Sequence, residues 1–123
     1  MDEIAALECL AALSQPTRLK AFRLLVAHEP DGVASGEVAG LVDVPQNTMS
    51  THLAVLARCG LVRGERQSRT ILYRADLQRF QALLVFLLQD CCGGRPEVCA
   101  PVVATITPCC PPTREPKERR RER

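Results

Sequence analysis

Residues 45–74, PQNTMSTHLAVLARCGLVRGERQSRTILYR, have the pattern of an amphipathic helix that leads directly into a hairpin. Met49, Leu53 and Leu56 are spaced at i, i+4 and i+7, which puts them on one face of a helix. Gly60 follows, where a residue without a Cβ atom can adopt the left-handed conformation that ends a helix. The opposite face carries short polar groups, so the pattern predicts a helix whose exposed side can form hydrogen bonds.

The hairpin that follows this helix carries concentrated basic charge. Strands are expected over 61–66 and 69–74, joined around Gln67-Ser68, and residues 46–74 contain five arginines against one glutamate although the whole chain has a net charge of only +2. A polar helix face beside a basic ribbon can reach base edges and phosphates together, so DNA binding is the first hypothesis. The predicted contact residues are Gln46, Asn47, Thr48, Ser50, Thr51, His52, Arg66 and Arg69. His52 could instead be a structural histidine, and the two arginines could belong to a solvated hairpin.

The remaining chain predicts helices on both sides of this segment. A first helix over 3–13 has its apolar residues on one face, and a second begins near Pro16 with Ser14 as its cap. A short third helix is expected with Ser35 as its candidate cap, and it ends before Val44-Pro45, which leaves a three-residue break before the polar helix. The side chains expected to pack inward are Ile4, Leu7, Leu10 and Ala11 in the first helix, Leu19, Phe22 and Val26 or Leu25 in the second, and Val38, Leu41 and Val42 in the third.

A final helix is expected from about Asp76 to Asp90 or Cys91, and it is apolar on nearly every side. One small domain cannot cover such a helix, so we expect it to pack against its twin in a homodimer. The predicted fold is therefore mainly α, a winged helix-turn-helix with about five helices and a two-stranded β-wing, dimerised through its terminal helices. Residues 1–92 would form the DNA-binding and dimerisation domain, and residues 93–123 a Cys/Pro-rich loop followed by a basic flexible tail.

Composition and short motifs argue against several other classes of protein. The first residues, MDEIAALE, are acidic where a signal peptide is basic, and the longest apolar run, 82–88, is far shorter than the ~20 residues that span a bilayer. We therefore expect a cytoplasmic protein with no membrane partner. No cysteine has an arginine six residues later and no Cys-x-x-Cys occurs, so the sequence does not indicate a thiol enzyme.

With this order of elements in place, the sequence resembles the ArsR/SmtB family of metal-responsive repressors over roughly residues 4–99. The resemblance is carried by LSQPTRLKAFRLL (13–25), VPQNTMSTHLAVLARCGLV (44–62) and RTILYRA (69–75). It implies a winged-helix homodimer that binds a palindromic operator and leaves it when a metal ion or metalloid binds. Some members carry a cysteine pair before the recognition helix, but SGEVAGLVD (35–43) has none. DCCGGRPEVC (90–99) is instead similar to arsenic-responsive members whose ligands follow the dimer helix, which implies a repressor of an arsenic-resistance operon.

The cysteines after the final helix provide the predicted inducer site. Seven cysteines in a cytosolic chain favour metal or redox chemistry over a disulfide framework. Cys91 and Cys92 precede Gly93-Gly94, which would end the helix, and Pro96 would return the chain so that Cys99 joins them from a short loop. Three thiolates suit trivalent arsenic or antimony, whereas zinc prefers four ligands. Cys109 or Cys110 could supply the third ligand, and the alternatives are a zinc- or cadmium-responsive repressor or one that senses oxidants through these thiols. Cys9 and Cys59 are expected to pack as small hydrophobic residues.

Overall fold

The computed structural model describes residues 1–89 and 95–106, except for the side chains of Pro96 and Cys99. The chain divides into two units, Met1–Phe86 and Leu87–Arg123. The helices in the described part are α1 (Glu3–Leu13), α2 (Pro16–Ala27), α3 (Ser35–Val42), α4 (Gln46–Arg58), α5 (Leu77–Gln89) and α6 (Pro96–Ile106), and the strands are β1 (Val33–Ala34), β2 (Val62–Gln67) and β3 (Thr70–Ala75). In this part of the chain, no helix has the length and apolar character needed to cross a bilayer.

The order of elements confirms the predicted winged helix-turn-helix. Helices α3 and α4 are separated by Asp43, Val44 and Pro45, and Asp43 closes α3 with a left-handed backbone (φ 66°). Helix α4 ends as the sequence predicts: Gly60 has a φ of 91°, and the backbone N–H groups of Gly60 and Leu61 donate to the carbonyls of Ala57 and Leu56 at 3.0 Å. This pair of bonds satisfies two carbonyls at the end of the helix and turns the chain into the wing.

The wing is a three-stranded antiparallel sheet rather than the predicted two-stranded one. Strand β1 pairs with β3, Val33 opposite Tyr73, and β3 pairs with β2, giving the order β1-β3-β2. The hairpin turn lies at Ser68-Arg69, one residue later than expected, with Ser68 in the left-handed region (φ 62°). Because an isolated hairpin is marginally stable, the third strand helps to hold the wing on the helical body.

The core confirms some of the predicted inward faces and contradicts others. Met49, Leu53 and Leu56 of α4 are completely buried, with Phe22, Leu25 and Val38 from α2 and α3 around them. In α1, however, the core contacts come from Ala6, Cys9 and Ala12, whereas Ile4, Leu7 and Leu10 are exposed. Leu19 and Leu41 are also exposed. Ala11 is exposed as well. The prediction for these six residues is wrong because apolar periodicity identifies an apolar face but not which molecule covers it.

Several local predictions at helix ends also need correction. Gln15, not Ser14, caps α2: its side-chain oxygen accepts from the N–H of Arg18 at 2.9 Å, while the Ser14 hydroxyl donates to the carbonyl of Ala11. Ser35 is the first residue of α3, after Ala34 as cap. Residues 96–106 form α6, where the sequence predicts a loop and a turn back at Pro96. Proline can begin a helix instead of turning the chain, because the backbone N–H of the first helical residue has no partner within the helix and its loss costs nothing.

Candidate DNA-binding surface

The exposed face of α4 is polar, as the sequence predicts. Burial of Met49, Leu53 and Leu56 turns the opposite face of the helix outward. This face contains five of the predicted contact residues, all exposed: Gln46, Asn47, Thr48, Ser50 and Thr51. None is charged, so their amides and hydroxyls can both donate and accept hydrogen bonds at base edges. The core packing therefore determines which polar groups face outward.

The first turn of α4 organises part of this polar face. The Asn47 side-chain oxygen accepts from the N–H of Thr48 at 2.9 Å, and the Thr51 hydroxyl donates to the carbonyl of Asn47 at 3.3 Å. Pro45 caps the helix without a side-chain hydrogen bond, and no acidic residue lies in the first turn. The positive end of the helix dipole is therefore not countered by a carboxylate there, which favours an approaching phosphate.

His52 differs from the other predicted contacts because it is half-buried. Its Nδ1 lies 3.4 Å from Nη1 of Arg18, a residue of α2 that the sequence did not indicate as part of the site. The Nε of Arg18 also donates to the carbonyl of Ala12 at 2.6 Å, so this side chain joins the end of α1 to the recognition helix. The two residues are 34 positions apart and share no periodic pattern, so only the fold reveals the contact.

Two arginines of the wing are exposed predicted contacts, and two others lie beside carboxylates of the same chain. Arg66 and Arg69, both predicted to contact DNA, are exposed on and beside β2. Arg74 is paired with Glu29, its Nη2 lying 3.2 Å from Oε1, and Arg63 lies 3.8 Å from Asp76. The hydrogen bond to Glu29 and the attraction of that carboxylate raise the pKa of Arg74 further above its ordinary value. The basic charge available to DNA on the hairpin is therefore smaller than the count of its arginines implies.

The predicted inducer ligands lie largely outside the part that can be described. Cys91 and Cys92, and the alternative ligands Cys109 and Cys110, fall outside the described residues; Cys99 has its backbone in α6 but its side chain is not described. Within residues 1–89 and 95–106, no group of three or more His, Cys, Asp or Glu side chains is arranged to hold a metal ion.

Cys9 and Cys59 are buried thiols, as predicted. The Cys9 Sγ donates to the carbonyl of Cys59 at 3.5 Å, and the Cys59 Sγ donates to the carbonyl of Leu56 at 3.3 Å. Burial is the main cause that raises the pKa of the Cys9 thiol, and the neighbouring Cys59 raises it further. Arg79 of α5 donates to the same Cys59 carbonyl at 3.0 Å, so α1, the end of α4 and α5 meet at this point.

Comparison with known proteins agrees with this geometry. A helix-turn-helix domain family matches residues 13–65. The transcriptional repressor SmtB of Mycobacterium tuberculosis is 39% identical over 70 residues, which cover 57% of this chain and 50% of SmtB. The transcriptional activator HlyU of Vibrio cholerae is 28% identical over 82 residues, which cover 67% of this chain and 73% of HlyU. The chain thus spans about half the length of SmtB and about three quarters of the length of HlyU.

Two solved structures have a similar fold. A crystal structure described as a possible transcriptional regulator for arsenical resistance aligns with a TM-score of 0.58 and 26% identity, covering 65% of this chain and 80% of that one. The solution structure of the homodimeric winged helix-turn-helix domain Mb0332 from Mycobacterium bovis aligns with a TM-score of 0.58 and 24% identity, covering 70% and 79% of the two chains.

The order of elements and the match to a helix-turn-helix domain define a winged helix-turn-helix fold, in which α4 is the second helix of the helix-turn-helix. Of the relatives matched in sequence, SmtB is named a repressor and HlyU an activator. The relatives matched in sequence are named as regulators and not as enzymes.

Proposed function

We propose that this protein is a dimeric repressor that binds operator DNA through α4 and the wing, and that trivalent arsenic or antimony releases it. The observation that carries the DNA-binding part is the orientation of α4. Its buried stripe leaves Gln46, Asn47, Thr48, Ser50 and Thr51 exposed, and Arg66 and Arg69 are exposed on the wing. The helix would read the major groove while the two arginines contact phosphates or the minor groove.

The homodimer part of the proposal is supported by apolar side chains that the single chain leaves exposed. In α1 these are Ile4, Leu7 and Leu10, and in α5 they are Leu77, Leu84, Val85, Leu87 and Leu88. Several large apolar side chains left exposed on a helix are typical of an interface between copies. Mb0332, which has the same fold, is described as homodimeric. A symmetric dimer would place two recognition helices about one turn of DNA apart, ~34–36 Å, on a palindromic operator.

The inducer part of the proposal rests on the chemistry of Cys91, Cys92 and Cys99. Each of three thiols can replace one hydroxide of As(OH)3 or Sb(OH)3, and its proton leaves with that hydroxide as water. The product has three bonds to sulfur, and the lone pair of the metalloid occupies the fourth direction. One solved structure that resembles this chain is described as a possible regulator for arsenical resistance. Arsenite can release the operator only if it binds the DNA-incompetent state more tightly, and a 100-fold release requires a difference of about 2.7 kcal/mol.

A mobility shift of the promoter upstream of the protein's own gene tests the proposal. We expect arsenite and antimonite to release the wild-type protein, and Cys91→Ser or Cys92→Ser to keep DNA binding while losing release. Cys59→Ala is the matched control, since Cys59 is a buried thiol outside the proposed site. Release of both serine variants at the wild-type arsenite concentration would refute the ligand assignment, and a protein that does not retain the promoter would refute the DNA-binding part.

The same titration separates the alternatives. Release by zinc or cadmium with arsenite silent would instead assign the site to those ions, and release by peroxide under metalloid-free conditions would assign it to thiol oxidation. A reporter gene behind the promoter determines the sign of regulation, because SmtB is named a repressor and HlyU an activator. We propose a cytoplasmic repressor, so we expect deletion of its gene to raise expression of the reporter.

A further inference from the structure

We propose that Arg18 fixes His52 in the tautomer that carries its proton on Nε2, so that the recognition helix presents DNA with a histidine N–H donor. The DNA contact rests on the proposed function, whereas the tautomer is a property of the protein without DNA. The two parts can therefore fail separately. The sequence alone does not indicate which ring nitrogen of His52 carries the proton, and it does not indicate that Arg18 contacts this residue.

The contact between Arg18 and His52 determines which ring nitrogen of the histidine carries the proton. A guanidinium group can only donate hydrogen bonds, because its nitrogens carry no available lone pair. Since Nη1 of Arg18 lies 3.4 Å from Nδ1 of His52, Nδ1 must be the acceptor and carries no proton. A neutral imidazole has a single proton, which must then be on Nε2.

Arg18 is itself held in place by two hydrogen bonds. Its backbone N–H donates to the side chain of Gln15 at 2.9 Å, and its Nε donates to the carbonyl of Ala12 at 2.6 Å. These two bonds fix the arginine at the first turn of α2, with one guanidinium nitrogen directed at α4. Arg18 is therefore a positioning residue: it acts on DNA through the orientation and the proton of His52.

His28 provides an internal reference with the opposite arrangement. Its Nδ1 lies 2.8 Å from the carbonyl oxygen of Leu24, which can only accept. The proton of His28 must therefore be on Nδ1. Since the chain has only these two histidines, the structure assigns them opposite proton positions within one molecule.

The consequence for recognition is a defined polarity. A histidine with its proton on Nε2 donates to an acceptor such as purine N7, guanine O6 or a phosphate oxygen, and it is mismatched with the amino groups of cytosine and adenine. His52 lies one helical turn after Thr48 and is half-buried, beside the exposed polar face of α4. The hydroxyls of that face can donate or accept a hydrogen bond. His52 could only donate at Nε2, so it would favour acceptors on the DNA over donors.

Nitrogen NMR of the ring in the full-length protein without DNA tests the tautomer. Protonated and unprotonated ring nitrogens differ strongly in ¹⁵N shift, and couplings to the ring protons identify which is which. We expect a bare Nδ1 and a protonated Nε2 for His52, with His28 showing a protonated Nδ1. Arg18→Ala should give His52 a mixture of tautomers while His28 stays unchanged. A proton on Nδ1 of wild-type His52 would overturn the proposal, and this result does not depend on whether the variant folds.

Substitution of His52 tests the DNA contact on a duplex from the protein's own promoter. Glutamine can place its amide N–H near the position of Nε2, whereas asparagine places its amide near Nδ1, so only His52→Gln keeps a donor where we propose one. We expect the Kd of His52→Asn to lie about tenfold above that of His52→Gln, the effect of one hydrogen bond. Equal Kd values for the two variants would overturn the proposed donor.

Modified DNA identifies the acceptor. A duplex with 7-deazapurines in the half-site lacks N7, and one with methylphosphonates lacks the charged phosphate oxygen. If one replacement removes the difference between His52→Gln and His52→Asn, the atom that it lacks is the acceptor, and this result supports the donor. A duplex with 6-thioguanine replaces the O6 oxygen by a weaker acceptor and tests that atom in the same way. A difference that survives all three replacements would overturn the proposed donor. Absence of promoter binding by the wild-type protein would contradict the proposed function and leave the tautomer to the NMR result.

Discussion

The guanidinium group of Arg74 contacts both carboxylate oxygens of Glu29, with Nη2 at 3.2 Å from Oε1 and Nε at 3.4 Å from Oε2. This pair joins strand β3 of the wing to the turn that follows α2. Gly32 lies beneath it with a φ of 82°, and a Cβ atom there would approach Cγ of Arg74 to 2.7 Å. Arg74 therefore belongs to the joint between wing and body, although its position in a basic hairpin suggests a contact with DNA.

We predict that Arg74→Gln lowers the thermal stability of the protein more than Arg66→Gln does. Both variants remove one positive charge from the wing, but only Arg74 forms a bidentate salt bridge, with the half-buried carboxylate of Glu29. Arg66→Gln should leave the unfolding midpoint within error and weaken DNA binding, with a shallower dependence of affinity on salt concentration. Equal unfolding midpoints for the two variants would contradict the structural role of Arg74.

The elements that were predicted correctly are those whose signal is local. The stripe of Met49, Leu53 and Leu56 and the stop at Gly60 depend on residues within one helix and its cap, so periodicity and backbone preference are sufficient. The outward face of α4 follows from the same stripe. A short strand such as β1 has two residues and no alternation, so its pairing with β3 depends on contacts that no local pattern encodes.

The predicted inward face of α1 is wrong for a different physical reason. Ile4, Leu7 and Leu10 do form an apolar face, but the core of the chain contacts Ala6, Cys9 and Ala12 instead. A helix that is apolar on two sides can satisfy one within its own chain and leave the other to a second copy. Periodicity alone cannot assign the two sides, whereas burial in the folded chain does.

Leu7→Glu provides a test of the proposed dimer. Leu7 is 56% exposed in the single chain, so we expect the charge to prevent dimerisation without loss of the monomer fold. Leu41→Glu is the matched control, because Leu41 in α3 is also 56% exposed and lies outside the proposed interface. Sedimentation equilibrium should show a monomer for the first variant and a dimer for the second. A dimeric Leu7→Glu protein would show that α1 is not part of the interface.

Replacement by alanine should change the stability of the fold in opposite directions at two glycines, one just after α4 and one within α3. Gly60 has a left-handed backbone, and a Cβ atom there would lie 2.9 Å from Nε of Arg79, so we expect Gly60→Ala to destabilise the fold by about 1–2 kcal/mol. Gly40 lies within α3, and a Cβ atom added to it would have no neighbour within 4 Å, so Gly40→Ala should stabilise the fold by about 0.5–1 kcal/mol. Urea unfolding at equilibrium measures both. Destabilisation by both alanines would contradict the space assigned to Gly40.

The Cys9 thiol should make the stability of the protein fall at alkaline pH. Burial raises its pKa in the folded chain above the ordinary value of 9.0. Above that pH the unfolded chain has released a proton that the folded chain still holds, so the free energy of unfolding decreases as pH rises toward the folded pKa. Below the ordinary value the contribution is fully present and the curve is flat.

Cys9→Ala removes this proton and isolates its effect. We expect the difference in unfolding free energy between wild type and Cys9→Ala to be constant near neutral pH and to shrink above pH 9, with a slope of at most about 1.4 kcal/mol per pH unit. Urea titrations with reductant present, repeated from neutral to alkaline pH, measure this difference. A difference that stays constant through the alkaline range would mean that the folded chain does not hold the Cys9 proton more tightly than the unfolded chain does.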